Sequence, residues 1–141
     1  IKPIFDGYNI GLMSEAGCPG VADPGAAIVK IAHEKGIQVV PLVGPSSILL
    51  AMMASGMNGQ SFAFHGYLPI PDKERFQAIR NLERDAISKN QTQVFMETPY
   101  RNDKMLAELI KHCNPRTKLC VACNITALVL VLLTSRRPGK N

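Results

Sequence analysis

Two turns made of small residues limit what this chain can fold into. The first runs Ser14-Glu15-Ala16-Gly17-Cys18-Pro19 and on through Gly20-Val21-Ala22 to Asp23-Pro24-Gly25; the second is Val43-Gly44-Pro45-Ser46-Ser47. Each stands where an apolar, β-branched run gives way to a helical pattern, the place where open α/β sheets keep their ligand loops. Small side chains let a backbone take positive φ angles and approach a ligand closely. Asp23 before Pro24 reads as a loop stop and helix N-cap.

The flanking periodicities supply the rest of the architecture. Residues 9–14 predict a first strand, and 25–35 a helix with Ile28, Ile31 and Ala32 on one face, stopped by Gly36. Residues 37–43 form a near-continuous apolar run of the kind buried on both faces of a parallel sheet, and 45–55 a second, apolar helix. That rhythm is half of a doubly wound α/β domain. The turn-rich Ser55-Gly56-Met57-Asn58-Gly59-Gln60 then separates residues 1–59 from a second α/β domain, 60–141. There, 62–68, 92–97 and 118–123 predict strands. The helix expected over 73–89 has Phe76, Ile79, Leu82 and Ala86 on one side and charge on the other, and 102–112 turns Met105, Leu106, Leu109 and Ile110 inward. The apolar run 127–133 fits one further strand, or an altered or truncated end.

Composition narrows the partners. A net charge of +5 suits an anionic partner such as RNA as well as it suits a mildly basic enzyme. Arg136, Arg137 and Lys140 form a basic cluster at the terminus, where a solvated tail is expected. No apolar run reaches the roughly 18 to 20 residues needed to cross a bilayer, and residue 1 onward lacks the pattern of a signal peptide. A cytoplasmic location and no membrane partner are expected. Of the four cysteines, Cys18, Cys113, Cys120 and Cys123, the last two are three apart on a predicted strand and so point to opposite faces. Free, buried thiols are expected, with no metal site.

Five motifs in order carry a resemblance: Ser14 to Pro19, Ala22-Asp23-Pro24-Gly25, Gly44-Pro45-Ser46-Ser47, Phe62-Ala63-Phe64-His65-Gly66-Tyr67-Leu68-Pro69 and Glu97-Thr98-Pro99-Tyr100-Arg101. Over residues 1–126 the chain resembles the tetrapyrrole methylase family of S-adenosylmethionine-dependent methyltransferases, nearest its ribosomal RNA small-subunit methyltransferase I branch. The resemblance implies two α/β units with a cofactor cleft between them, the first unit incomplete. It implies S-adenosylmethionine as cofactor, held by Ser14, Glu15, Ala16, Gly17, Cys18 and Pro19 with Gly44, Pro45, Ser46 and Ser47. The methyl acceptor, rRNA at a ribose 2′-hydroxyl or a tetrapyrrole, would lie near Glu97, Tyr100 and Arg101. No catalytic residue is assigned.

Each motif also has a plainer reading. The first loop alone is an ordinary strand-to-helix turn, Ser46 or Ser47 a helix cap, Pro99 a helix boundary, and His65 a packing or surface residue. Three departures matter as well. The family's Gly-x-Gly-x-Gly loop is absent, Ala122-Cys123-Asn124-Ile125-Thr126 replaces a charged Arg-Glu-Leu-Thr-Lys-like stretch of the rRNA branch, and Tyr100 stands where that branch commonly has histidine. A non-catalytic, truncated homologue is therefore a third reading. An exposed sheet edge, left by absent first strands, predicts pairing into a homodimer. A dinucleotide-binding dehydrogenase is disfavoured, since no Gly-x-Gly-x-x-Gly occurs.

Overall fold

Among the described residues, strand pairing begins only after residue 61, and nearly all of the core lies there too. The structure, a computed structural model, describes residues 2–126 and the backbone of Val131–Ser135. It divides into two units, Ile1–Ser47 and Ile48–Asn141. In the second, β1 (Phe62–Tyr67) and β2 (Thr92–Met96) pair in parallel, with Phe62 opposite Thr92 and Phe64 opposite Val94. The register slips between Phe64 and Tyr67, where Gly66 takes φ +65° and bends the strand's end, a glycine bulge.

A parallel pair needs a crossover, here the helix Asp72–Ser88. Counting the helices Lys2–Phe5, Ala26–Glu34 and Ser47–Ser55 as α1 to α3, this is α4. Asn90, at φ +47°, turns the chain from α4 into β2. A 3-10 turn over Pro99–Arg101 opens α5 (Asn102–His112), with Pro99 at a position that needs no N–H. β3 (Leu119–Cys123) pairs antiparallel with β4 (Val131–Ser135), Val121 opposite Leu133. This is the α/β class that the periodicities predict, built on a small parallel pair. The remainder of the tail, residues 127–130 and 136–141 with Arg136, Arg137 and Lys140, lies outside the described residues.

The core is Leu68, Ile79, Met105 and Leu109, with Ala78, Leu82, Phe95, Cys113 and Leu119 packed on it. Here the inward faces differ from the expectation. The buried positions of α4 are Arg75, Ile79 and Glu83, four residues apart, while Phe76 is exposed and meets the His112 ring edge-on at 4.6 Å. On α5, Leu106 and Ile110 face outward. Glu83 is tolerated inside because its carboxylate is saturated: it accepts from the Asn114 amide (2.6 Å), the Thr117 hydroxyl (2.5 Å) and Arg80 Nη1 (3.2 Å). Arg80 also donates to the His112 carbonyl at the end of α5.

The first unit is sparser. Gly25, at φ 139°, is the N-cap of α2, and no side chain caps the helix, so Asp23 does not play the expected capping part. A Cβ on Gly25 would stand 2.8 Å from a Leu12 methyl, which explains a glycine there. The exit matches expectation: Gly36 N donates to His33 O and Ile37 N to Ala32 O, the paired bonds of a Schellman motif around Gly36 at φ +65°. Residues 9–14 and 37–43 are not strands. A strand exists through its ladder, and neither run pairs with any described segment. Their side chains stay in water, Met13 and Leu42 each 88% exposed.

Candidate functional site

The first small-residue loop holds itself in shape. Ser14 Oγ donates to Ala16 O at 2.8 Å and accepts from Ala16 N at 3.3 Å, a local turn that competes with continued strand. Gly17 follows at φ +74° with nothing within 4 Å of where a Cβ would be. Ser14 and Cys18 are half-buried, whereas Glu15, Ala16, Gly17 and Pro19 are exposed. Cys18 Sγ lies 3.7 Å from Pro45 O. That contact brings the loop 14–19 and the loop 44–47 together within the first unit, although 27 residues separate the two groups in sequence. Gly44, Pro45 and Ser47 are exposed and Ser46 half-buried. The result is a surface of main chain and small, uncharged side chains, with Glu15 its one ionisable group besides the thiol.

In the second unit, β2 ends and Glu97 to Arg101 follow at its C-terminal edge, the edge at which parallel sheets bind ligands. Glu97 is nearly buried, its side chain 8% exposed. One of its oxygens, Oε1, accepts from the Thr98 amide (2.7 Å), the Thr98 hydroxyl (3.3 Å) and Arg101 Nε (2.7 Å) and Nη2 (2.5 Å). Glu97 therefore aims Arg101. Tyr100, one residue before it, is 85% exposed. A fixed guanidinium next to a free aromatic face can hold an oxyanion and stack on a planar ring. In the sequence both residues stand out only as members of the motif Glu97 to Arg101 that carries the family resemblance.

Other candidates have ordinary surroundings. His65 is exposed on β1, its Nε2 2.7 Å from Gln93 Oε1 on the neighbouring strand. The cysteines are free, but none is fully buried and Cys123 is exposed, contrary to the expected burial; β3 ends at the sheet margin, so its last residue meets water. Partial burial raises the Cys120 thiol pKa above its usual value. Asn124 and Thr126, at φ +53° and +71°, turn the chain after β3 where the charged stretch of the rRNA branch would stand. Charge on α4 reads as solvent-facing in sequence, yet Arg75 is buried there, and Lys104 reaches from α5 to Asp72 on α4 with no local pattern to report it.

Comparison with known proteins adds a family and relatives. The family model described as Tetrapyrrole (Corrin/Porphyrin) Methylases matches residues 2–128. A protein of Vibrio cholerae serotype O1 named ribosomal RNA small subunit methyltransferase I is 32% identical over 126 residues, covering 89% of this chain and 42% of that protein. Proteins of the same name from Halalkalibacterium halodurans and Escherichia coli O157:H7 are 34% and 35% identical, each over 78% of this chain and 37% of their own length. The chain thus spans about two fifths of the length of the curated relatives it matches. No described helix is long and apolar enough to cross a membrane.

Proposed function

The chain belongs to the tetrapyrrole methylase family, and from that premise we propose that it is part of an S-adenosylmethionine-dependent methyltransferase acting on a ribose 2′-hydroxyl of small-subunit ribosomal RNA. Within the complete fold, we assign residues 1–59 to the cofactor domain and 60–141 to the second domain. The observation that carries the RNA reading is the Glu97–Arg101 pair beside exposed Tyr100: an oriented cation and an aromatic face, the two recognition groups a flexible polyanion with bases requires. The names of the relatives support the same acceptor.

The loops 14–19 and 44–47 suit the cofactor chemically. S-adenosylmethionine, when bound, supplies a methyl group on a sulfonium centre. A cationic donor is best walled by uncharged groups and main-chain dipoles, which the joined loops present, and Gly17 leaves room for close approach. The contribution of this chain is positional. In this reading Ser14 to Pro19 and Gly44 to Ser47 hold the cofactor, and, in the second unit, Arg101 holds the acceptor's phosphate while Glu97 fixes Arg101. The reaction needs no covalent intermediate on the protein. We place the protein in the cytoplasm as a homodimer.

The test uses this chain and a chimera joining it to the unmatched remainder of the Vibrio cholerae relative. Each is incubated with methyl-labelled cofactor and either small ribosomal subunits or a uroporphyrinogen-like tetrapyrrole. Label is expected in RNA, falling about tenfold or more in Arg101→Ala. Label in the tetrapyrrole alone overturns the acceptor, and RNA labelling that ignores Arg101→Ala overturns the assigned role. Label in neither supports the non-catalytic reading.

A further inference from the structure

Arg75 is a cation with 5% of its surface exposed, held at the start of α4 just beyond β1. Its Nη1 donates to the Ile70 carbonyl and its Nη2 to the Asp72 carboxylate, but its Nε–H is buried with no partner. A buried donor left unpaired costs about 1–3 kcal/mol, so it calls for an explanation. Nε and Nη2 form the side-on fork of a guanidinium, the edge that takes an oxyanion with two parallel bonds. Asp72 uses half of that fork.

Three further observations converge on the same place. Lys104, from the first turn of α5, donates to the same Asp72 oxygen at 2.9 Å, so the N-terminal turns of α4 and α5 meet there. α4 is preceded by Pro71 and has no side-chain N-cap, which leaves its first amides without a capping side chain, whereas the first amide of α5, Asn102 N, already donates to Pro99 O. The Asp72 side chain is itself 74% exposed, so its open side faces solvent. Lys104, then Arg75, hold its pKa below the ordinary 3.8, as cations do for any anion seated between them.

We propose that this junction is a phosphate station for an RNA backbone, in which Arg75 and Lys104 take a phosphate in place of the Asp72 carboxylate. The proposal rests on the ribosomal RNA reading above and extends it to a second contact. Exchange of one anion for another keeps the charge of Arg75 compensated, and the second non-bridging oxygen of a phosphodiester supplies the acceptor that Nε lacks. Asp72 acts as an internal competitor that must swing out.

The experiment uses the full chain and two exposed-site variants, Lys104→Gln and Asp72→Asn, because replacing buried Arg75 endangers folding. Amide shifts are followed on titration with inorganic phosphate, and affinity for small-subunit rRNA is measured across salt concentrations. Phosphate is expected to move the amides of residues 72–75 and 102–104, an effect lost in Lys104→Gln. For RNA, Lys104→Gln is expected to lower the slope of log K against log salt by about 0.7–0.9, and Asp72→Asn to tighten binding about threefold. Absent amide shifts overturn the station. Shifts with RNA affinities and slopes unchanged in both variants mean an adventitious ion only, and overturn it too. RNA binding that falls in Arg101→Ala and ignores both variants leaves the RNA reading standing without this station; no RNA binding by the unaltered chain overturns the reading and the station together.

Discussion

The two units respond differently to similar sequence patterns. Residues 37–43 and residues 92–96 are both rich in extended-chain formers, yet the second run is β2, paired along β1, and the first is no strand. In the second unit Leu68, Ile79, Met105 and Leu109 are buried around one centre; among residues 2–47 the one buried side chain is Ala32. Strand propensity describes a fit to a pleated, half-buried surface rather than a backbone habit. Without a ladder and a covering layer the pattern has nothing to act on. Helices behave otherwise, because their hydrogen bonds are internal: α2 forms in the sparse unit with its Schellman exit complete.

That contrast is open to a direct break. Amide hydrogen exchange of the whole chain is expected to show β1 and β2 protected about two orders of magnitude or more beyond residues 9–14 and 37–43, whose amides have no ladder to open. Equal protection would mean that those runs find partners in solution, and would remove the distinction. A second break is mutational. Ile79, 1% exposed, is expected to cost about 2–5 kcal/mol as Ile79→Ala, whereas Val43→Ala, at a fully exposed position, stays within about 0.5 kcal/mol. Urea denaturation of both variants checks the pair, and similar losses would show that the first unit has a core of its own.

A smaller effect sharpens what holds the second unit together. Glu83 joins α4 to the segment between α5 and β3, and removing it strands the Asn114 amide and the Thr117 hydroxyl. Glu83→Ala is expected to cost about 1–3 kcal/mol and Glu83→Gln less, since an amide oxygen can still accept. If the two variants lose the same amount, the charge rather than the accepting oxygen is what matters, and Arg80 becomes the important partner.

How much was readable in advance follows from the range of each interaction. The 102–112 helix appears with those bounds, and β1, β2, β3 and α4 fall within a residue or so of expectation, because Pro99 and the apolar spacing are local signals. Ladders for 9–14 and 37–43 depend on distant strands, which no local pattern reports. Buried Arg75 and Glu83 read as surface charge for the same reason, their acceptors and donors being loop groups whose approach is tertiary. At the candidate site, the motif 97–101 names Glu97 and Arg101, but their ion pair spans a strand end and a 3-10 turn, where no helical spacing reports it. The meeting of Cys18 with Pro45 was not legible either, since a thiol contact across 27 residues leaves no periodic trace.

The finest test concerns the charges that line the junction of α4 and α5. Asp72 has a folded pKa below its ordinary value, chiefly through Lys104 and then Arg75. A carboxylate depressed in the folded state adds stability that is fully present above its unfolded pKa, near 3.9. That contribution disappears as pH falls through the lower, folded value. Stability is therefore expected to drop on acidification from about pH 5 to pH 2, and Lys104→Gln is expected to shrink the part due to Asp72. Asp85, lowered by Lys89 and then Arg84, titrates in the same window but is untouched by the substitution, so subtracting the two urea midpoints against pH isolates Asp72. The carboxylate is mostly exposed, so the difference should be small and should fade in about 0.5 M salt, where screening acts within a few ångströms. A difference that survives such salt would place the pair in a less solvated setting than its exposure indicates. It would also make Asp72 harder to displace, and so weigh against a phosphate taking its place.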